Sequence, residues 1–111
     1  MTKDLHMTNN RMLKELKNKL RIALHDSIIS IRLFGSRARG DYDSESDIDV
    51  AFIVKDHNRE IRNKILAIVT ELESKYYIPL SITIFSNQDF KRLKKKERRI
   101  ALDIEQEGIT L

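Results

Sequence analysis

The segment GSRARGDYDSESDID, residues 35–49, decides how this chain folds, because it joins two apolar stretches and concentrates glycine, serine and acid. The stretch before it, Ile28–Phe34, is β-branched and apolar, and the stretch at its end, DIDVAFIV at 47–54, is equally apolar. Both patterns are typical of buried strands. A glycine ends the first strand, and two acids, Asp47 and Asp49, begin the second. The segment therefore predicts a polar turn between two strands of one sheet.

The acid pair is the first candidate for chemistry. Asp47 and Asp49 are two residues apart on a strand, so their side chains project to the same face. Two carboxylates held close together repel each other, and a cation relieves that repulsion. Mg²⁺ is typically held by one or two carboxylates together with substrate phosphates. Because Asp-x-Asp triplets are also common by chance, with one acid capping the strand and the other solvated, the pair alone does not decide the function.

The start of the segment has the composition of a phosphate-binding turn. Gly35 permits close approach of an anion to the backbone, and the Ser36 hydroxyl adds a hydrogen-bond donor. Arg37 and Arg39 supply positive charge for the same anion. A plain Gly-Ser turn with solvated arginines has the same composition. The combination of this turn with an acid pair at one end of a sheet is what predicts a site for Mg²⁺-bound triphosphate.

Hydrophobic periodicity predicts the remaining elements. We expect helices over Asn9–His25, over Asn58–Tyr76 and from Ser86 or Asn87 to Glu107, where Gly108 ends the last one, and a third strand over Ile78–Phe85. Tyr76 and Tyr77 are expected to pack where the second helix meets this strand. The order predicts an α/β (α+β) domain with a small mixed sheet covered by helices. Residues 9–111 form this single domain, and residues 1–8 are predicted to be a disordered tail.

Composition narrows the function classes. The 111 residues include no cysteine, which excludes disulfides and thiolate metal sites. No apolar run approaches the roughly 18 residues of a membrane-spanning helix, and the N-terminus lacks the apolar core of a signal peptide. The sequence therefore predicts a cytoplasmic protein that does not enter the membrane.

Positive charge is concentrated in one segment, Lys91–Arg99, which holds seven basic residues and one acid. The segment contributes a net charge of +6, whereas the whole chain has a net charge of +4, so the rest of the chain is slightly acidic. The segment is compatible with a solvated helix face or with a surface for phosphate, nucleic acid or an acidic partner. Nucleic acid is the weaker alternative, because no aromatic residue is interleaved to stack on bases.

The sequence GSRARGDYDSESDIDV, residues 35–50, resembles the signature of the DNA polymerase β-type nucleotidyltransferase superfamily: Gly-Ser, ten intervening residues, then Asp-x-Asp. It is most similar to the minimal nucleotidyltransferases, small proteins often encoded beside a HEPN-domain partner. The resemblance implies a small mixed sheet like the palm of polymerase β. The matching positions are Gly35, Ser36, Ala38, Arg39, Gly40, Ser46, Asp47, Asp49 and Val50.

The resemblance also implies an activity, the transfer of a nucleoside monophosphate, AMP from ATP, to a hydroxyl group. Gly35 and Ser36 would bind the β- and γ-phosphates, Asp47 and Asp49 would ligate Mg²⁺, and one of the two arginines would contact phosphate. Some members act as antitoxins that adenylylate a HEPN ribonuclease toxin, so a HEPN-domain protein is the implied partner. The first helix and the strand edge near Pro79 leave self-association into a homo-oligomer open.

One departure from the superfamily pattern leaves two functions open. A third carboxylate is expected on the strand Ile78–Phe85, where it would help to bind a second metal ion and activate the acceptor. The polar positions there are Ser81 and Thr83, and a hydroxyl group cannot act as a general base near neutral pH. The chain is either an active transferase with an incomplete two-metal site or a catalytically impaired binding module that neutralises its partner by complex formation.

Overall fold

The computed structural model describes the backbone of residues 2–35 and 47–111 and the side chains of residues 10–35 and 47–111. Within these residues, four α-helices cover a four-stranded mixed sheet, which confirms the predicted α+β class. The helices are α1 (Thr2–Leu24), α2 (Arg59–Tyr76), α3 (Asn87–Lys95) and α4 (Arg99–Glu107), and the strands are β1 (Ile28–Phe34), β2 (Ile48–Val54), β3 (Leu80–Ser86) and β4 (Ile109–Thr110).

The order of the strands across the sheet is β3-β2-β1-β4. β1 is antiparallel to β2 and to β4, whereas β3 is parallel to β2. Asp49 lies opposite Phe34 of β1 and beside Ser81 of β3. The last residue of β1 and the first residues of β2 and β3 therefore meet at one end of the sheet, which we call the acidic end.

The two faces of the sheet carry separate apolar cores. On one face, alternate residues of β2, from Ile48 to Val54, pack against α1 and α2. On the other face, Ala51 and Ile53 pack against Phe90 of α3 and against α4. Asp49 lies between two residues of the first face, so it projects from the face that α3 and α4 cover. Among the described residues, none of the helices has the length and apolar character needed to cross a membrane.

A polar network joins α1 to α2 at the edge of the first core. The Lys75 ammonium donates to Oε1 of Glu15 at 2.9 Å, and the Tyr76 hydroxyl donates to the same oxygen at 2.7 Å. Two hydrogen bonds lower the pKa of the Glu15 carboxyl, and the one from Tyr76 has a larger effect than the one from Lys75. Lys19 adds ion pairs to Glu15 and Glu71. The network ties two helices whose residues are distant in sequence.

The predicted single helix after β3 is wrong, because the chain forms two helices there. α3 ends in a Schellman motif, in which Arg98 N–H donates to the Leu93 carbonyl at 2.9 Å and Glu97 N–H donates to the Lys94 carbonyl at 3.0 Å. Glu97 takes the left-handed conformation, with φ of 56°. A glycine usually marks such a helix end, so the break had no sequence signal.

Other boundaries differ less from the prediction. α1 begins at Thr2, before the predicted start at Asn9, while the division into a tail of residues 1–8 and a domain of residues 9–111 stays a prediction. α4 ends at Glu107 as predicted, and Gly108 N–H donates to the Ile104 carbonyl at 3.0 Å. The short strand β4, which pairs with β1, was not predicted, because a two-residue strand has no detectable period.

Candidate functional site

The backbone of Gly35 lies directly against the carboxylate of Asp49. A Cβ atom at position 35 would lie 2.3 Å from Oδ2 and 3.0 Å from Cγ of Asp49. Gly35 also has φ of +75°, a conformation that side chains disfavour. The prediction from the sequence was that a glycine is needed here because it lets a phosphate approach the backbone closely. The structure adds a second reason for glycine, since the Asp49 carboxylate fills the space of a side chain.

The structure places both predicted acids at the acidic end of the sheet. Asp47 is exposed and immediately precedes β2, and Asp49 is a half-buried residue within it. Ile48, between them, is 1% exposed and belongs to the core under α1 and α2. Strand alternation therefore directs both acids away from that core. Their shared face is the arrangement that the Asp-x-Asp spacing predicts.

The donor set at the acidic end fits Mg²⁺. Asp47 and Asp49 offer only carboxylate oxygens, which suit a hard cation better than zinc or copper. Within the described residues, no three His, Cys, Asp or Glu side chains cluster as metal ligands. A site of Asp47 and Asp49 would complete its coordination with water and substrate phosphates, the usual arrangement for protein-bound Mg²⁺.

The strand register distinguishes between the two hydroxyl residues of β3. Ser81 lies beside Asp49, whereas Thr83 lies beside Ala51, two pairs further from the acidic end. Neighbouring strands are about 4.8 Å apart, and paired residues share a face. Ser81 is exposed. Of the two residues, Ser81 is therefore the one beside Asp49, and its assignment to the position of the expected third carboxylate stays a prediction.

Three predicted phosphate-binding residues, Ser36, Arg37 and Arg39, lie outside the described residues. Their roles stay predictions, as do those of the motif positions Ala38, Gly40 and Ser46. The described flanks of this segment, Gly35 and Asp47, are at the acidic end of the sheet.

Arg32 supports the same face and was not singled out in the sequence. It lies opposite Ala51, and its guanidinium group donates to Glu105 of α4 at 3.0 Å and to Ser30 at 3.1 Å. The guanidinium carbon also lies 5.9 Å from the centre of the Phe90 ring. These contacts hold α3 and α4 over the acid-bearing face. A lone arginine in the apolar strand IISIRLF was the available signal.

The prediction that both tyrosines pack at the end of α2 is confirmed for Tyr76 and wrong for Tyr77. Tyr76 is partly buried and bonded to Glu15, but Tyr77 is 90% exposed. Tyr77 takes a left-handed conformation, with φ of 55° and ψ of 35°. The residues after Tyr77 run to the acidic end of the sheet, where the Ile48 N–H donates a hydrogen bond to the Pro79 carbonyl at 3.2 Å.

The basic segment Lys91–Arg99 spans the end of α3 and the start of α4. Its ion pairs are peripheral, such as Arg92 with Asp89 at 3.4 Å and Arg99 with Asp103 at 3.8 Å. Among the described residues, no carboxylate within 4.0 Å pairs with its other exposed cations, which are Lys91, Lys95, Lys96 and Arg98. The segment is a solvated cationic surface, and its role stays open between the predicted alternatives.

Known proteins resemble this chain in sequence and in fold. The family model described as "Nucleotidyltransferase domain" matches residues 10–107. "Putative protein adenylyltransferase MJ0141" of Methanocaldococcus jannaschii is 40% identical over 75 residues, which cover 67% of this chain and 76% of that protein. "Putative protein adenylyltransferase MJ0604" of the same organism is 35% identical over 86 residues, which cover 78% of this chain and 82% of that protein.

Two solved structures share the fold. One is described as a "putative minimal nucleotidyltransferase"; it has a TM-score of 0.61 and 19% identity, and the match covers 92% of this chain and 94% of that one. The other is a toxin–antitoxin structure with AMP-PNP, with a TM-score of 0.54 and 20% identity, covering 86% of this chain and 68% of that one. At these identities the likeness concerns the fold alone, and it confirms the predicted nucleotidyltransferase architecture.

Proposed function

Because this chain belongs to the nucleotidyltransferase domain family, we propose that it uses Mg²⁺ to transfer AMP from ATP to a hydroxyl group of a HEPN-type partner protein. In this proposal the chain acts as an antitoxin. The predicted enzyme class, a nucleotidyltransferase, is confirmed by the family match and the named relatives. The nucleotide, the metal, the acceptor and the antitoxin role are the proposed part.

The observation that carries the proposal is the contact of Asp49 with Gly35 at the acidic end. A carboxylate held against the end of β1 lies beside the turn whose backbone would receive the triphosphate. Asp47 and Asp49 would hold Mg²⁺, and the bound cation would neutralise phosphate charge. Gly35 and Ser36 would bind the β- and γ-phosphates, and the two arginines of the turn would add positive charge.

The reaction needs little covalent chemistry from the protein. The acceptor oxygen forms a bond to the α-phosphorus, the bond between that phosphorus and the bridging oxygen breaks, and pyrophosphate leaves. Positioning and charge neutralisation supply most of the catalysis in such transfers. Ser81 cannot take the hydroxyl proton as a base near neutral pH, and in this proposal the proton passes to water. The cytoplasm, which supplies both ATP and Mg²⁺, is the proposed location.

The named relatives support a protein as the acceptor, and one structural neighbour supports an adenine nucleotide as the donor. The relatives from Methanocaldococcus jannaschii are named as protein adenylyltransferases, and one structural neighbour is a toxin–antitoxin structure with the ATP analogue AMP-PNP. An acceptor on a toxin partner is consistent with both names.

The test combines the chain with ATP, Mg²⁺ and a candidate HEPN-domain partner protein, followed by intact-mass spectrometry. We expect the partner to gain the mass of one AMP group. Asp49→Ala should abolish the adduct, whereas Glu60→Gln, a change in an exposed helix pair with Lys64, should retain it. Size-exclusion chromatography of the chain alone tests the predicted self-association.

The second candidate function is a binding module that neutralises its partner by occlusion. The observation that favours it is Ser81, which stands beside Asp49 where a third acid was expected. This function requires tight partner binding, no mass adduct, and neutralisation that survives Asp49→Ala. Those three results together would reject the transferase.

A further inference from the structure

The outer edge of β3 has no partner strand in the described part of the chain, because β3 is the outermost strand of the sheet. Consecutive residues of a strand direct their N–H and C=O groups to opposite edges. Since the Ile48 N–H donates to the Pro79 carbonyl, the odd-numbered residues of β3 face β2, and Ile82 and Ile84 face outwards. Among the described residues, nothing forms a hydrogen bond with the outward backbone groups of Ile82 and Ile84.

β3 also lacks the features that usually keep an edge strand from pairing. Such features are charged residues, proline, a bulge or a very short strand. The seven residues Leu80–Ser86 contain no charge and no proline, and their register with β2 is unbroken. The nearest charged residues in the sequence are Lys75 and Asp89. The edge is therefore suited to accept another strand.

On one face of the sheet, α2 turns an apolar and charged flank towards this edge. α2 is tied to α1 through Lys75, which pairs with Glu15. The helical spacing puts Arg62, Leu66 and Glu73 on the opposite flank. There the Glu73 carboxylate accepts a hydrogen bond from the backbone N–H at the start of β3 at 2.9 Å, and Leu66 is 37% exposed. This flank therefore borders the free edge of β3.

On the other face, α3 leaves a groove beside the end of β3. Lys94 faces α4, where it pairs with Glu105 at 3.6 Å. Asp89 lies on the flank of α3 that points away from α4. Together with Phe85 and Leu93, it lines an open cavity of about 290 Å³. Asp89 thus stands beside the outer edge of β3, next to Phe85.

A second copy of β3 fits this edge in the antiparallel orientation. With Thr83 of both copies on a two-fold axis, Ile82 of each copy lies opposite Ile84 of the other. Both residues then exchange the N–H and C=O groups that are left over in the single chain. Thr83 lies opposite Thr83, a cross-strand pair that stabilises antiparallel sheets.

The flank of α2 fits the same two-fold axis. Thr83 is about 10 Å along β3 from Leu80, and about seven residues of helix, from Glu73 back to Leu66, cover that length. Leu66 of the two copies therefore meets close to the axis, and Arg62 of each copy faces Glu73 of the other. The pairing buries an exposed apolar residue and brings opposite charges together, which favours a second copy over an unrelated strand.

The same pairing brings a carboxylate to the candidate site. In this register Phe85 of the second copy lies beside Ser81, which itself lies beside Asp49. Asp89 of the second copy adjoins that Phe85, on the sheet face from which Asp49 projects. The carboxylate arrives on the β3 side of Asp49, where the expected third acid is missing.

We propose that two copies of this chain pair through β3 and that Asp89 of each copy reaches the site of the other copy. The role of Asp89 rests on the proposed function: its carboxylate accepts a hydrogen bond from the acceptor hydroxyl and orients the oxygen towards the α-phosphorus. Such orientation accelerates a transfer that depends on positioning. Asp89 takes up no proton in this role, and the hydroxyl proton still passes to water.

A cysteine cross-link tests the pairing without any reaction. The chain has no cysteine of its own, and on the two-fold axis the Cα atoms of Thr83 would be about 4.5 Å apart, within the range of a disulfide. We expect Thr83→Cys to form a covalent dimer on oxidation, visible by gel electrophoresis without reductant. Ser81→Cys is the register control, since its two copies would be about 13 Å apart along the strands. No dimer from Thr83→Cys, or an equal yield from Ser81→Cys, rejects the pairing.

Sedimentation velocity tests the pairing in the unmodified chain. We expect a dimer for the wild type and a monomer for Thr83→Lys, because two lysines would meet on the axis. Ile22→Lys, at an 81% exposed position of α1, is the matched control and should remain a dimer. Thermal unfolding checks that both variants are folded. A monomeric wild type, or a dimer of folded Thr83→Lys, contradicts the pairing.

Mixing two impaired variants tests whether Asp89 acts across the interface. Alone, Asp89→Asn should slow transfer to a candidate HEPN-domain partner protein about tenfold, and an unchanged rate rejects its role. In a mixed dimer of Asp49→Asn and Asp89→Asn, one site keeps Asp49 of one copy and Asp89 of the other. Co-refolding should make about half of the dimers mixed and so restore about a quarter of the wild-type rate. A rate no higher than the mean of the two variants rejects action across the interface.

The pairing and the transfer can fail separately. If the wild type transfers no AMP although Thr83→Cys cross-links, the proposed function and the role of Asp89 are rejected, and the pairing stands. If the wild type transfers AMP but Thr83→Cys does not cross-link, the pairing is rejected, and the proposed function stands.

Discussion

A Cβ atom at Gly35 would lie 2.3 Å from Oδ2 of Asp49, so the end of β1 and the acid on β2 occupy one shared space. The two residues are 14 positions apart in the sequence, with the whole polar segment between them. Their contact places the carboxylate beside the turn that would hold the triphosphate. Such preorganisation is what a positioning enzyme requires, because an ordered site does not have to rearrange during the reaction.

Gly35→Ala tests this contact. The added methyl group meets the Asp49 carboxylate and also forces a side chain into a left-handed conformation, which costs about 1–2 kcal/mol. We expect a lower melting temperature and a fall in kcat/KM of about tenfold or more, because a small displacement of catalytic groups has large effects. Thermal unfolding and steady-state transfer measure the two consequences.

Gly108→Ala is the matched control for that variant. Its Cβ atom would lie 2.2 Å from the Ile104 carbonyl oxygen, so it should also destabilise the fold. Position 108 lies after α4 and, by the register of β4, beside Phe34, which places it two strands from Asp49, about 10 Å across the sheet. We expect a lower melting temperature with unchanged kcat/KM below that temperature. An equal loss of kcat/KM in both glycine variants would refute a specific role of the Gly35 contact.

Asp47→Asn and Asp49→Asn test the metal site. Each change removes a charged oxygen ligand while keeping the size of the side chain, so Mg²⁺ should bind more weakly. We expect transfer to fall about a hundredfold or more in each variant, the scale of several kcal/mol that a catalytic metal supplies. Removal of Mg²⁺ with EDTA should stop transfer by the wild type. Calorimetric titration with Mg²⁺-ATP measures the loss of binding directly, and undiminished binding contradicts the assignment.

Ser81→Asp tests the register of the missing acid. A carboxylate beside Asp49 would supply the general base that the chain lacks there, an effect worth about a hundredfold or more in rate. Thr83→Asp is the matched control, since it places the same acid beside Ala51, two pairs further away. We expect faster transfer near neutral pH from the first variant only. A gain from the Thr83 variant instead would show that the paired position is not the functional one.

Glu15→Gln tests the network between α1 and α2 through its pH dependence. Hydrogen bonds from Tyr76 and Lys75 lower the pKa of Glu15 below its ordinary value of 4.5. A lowered pKa contributes stability that is fully present above pH 4.5 and is lost as the pH falls through the lowered pKa. Urea unfolding should therefore show Glu15→Gln to be less stable than the wild type at pH 7, with a difference that shrinks below pH 4.5. Glu60→Gln, in an exposed pair on α2, should show no such difference.

The sequence by itself determined the features that depend on local spacing. The two-residue spacing of Asp47 and Asp49 at the start of β2 placed both acids on one face, and the three- and four-residue spacing of apolar residues located α2. Gly108 marked the end of α4. These features follow from the geometry of a single element, in which each side chain's direction is set by its position along the chain.

Only the tertiary structure decided which distant residues meet. The contact of Gly35 with Asp49 and the choice of Ser81 over Thr83 depend on how strands pair, and a shift by one residue would change both. Glu97 and Tyr77 both take a left-handed conformation at a helix end, where glycine is the usual residue. Local propensity therefore reveals neither the break at Glu97 nor the exposure of Tyr77. The packing of the whole domain sets the strand register and the helix ends, so neither can be predicted from a short stretch of sequence.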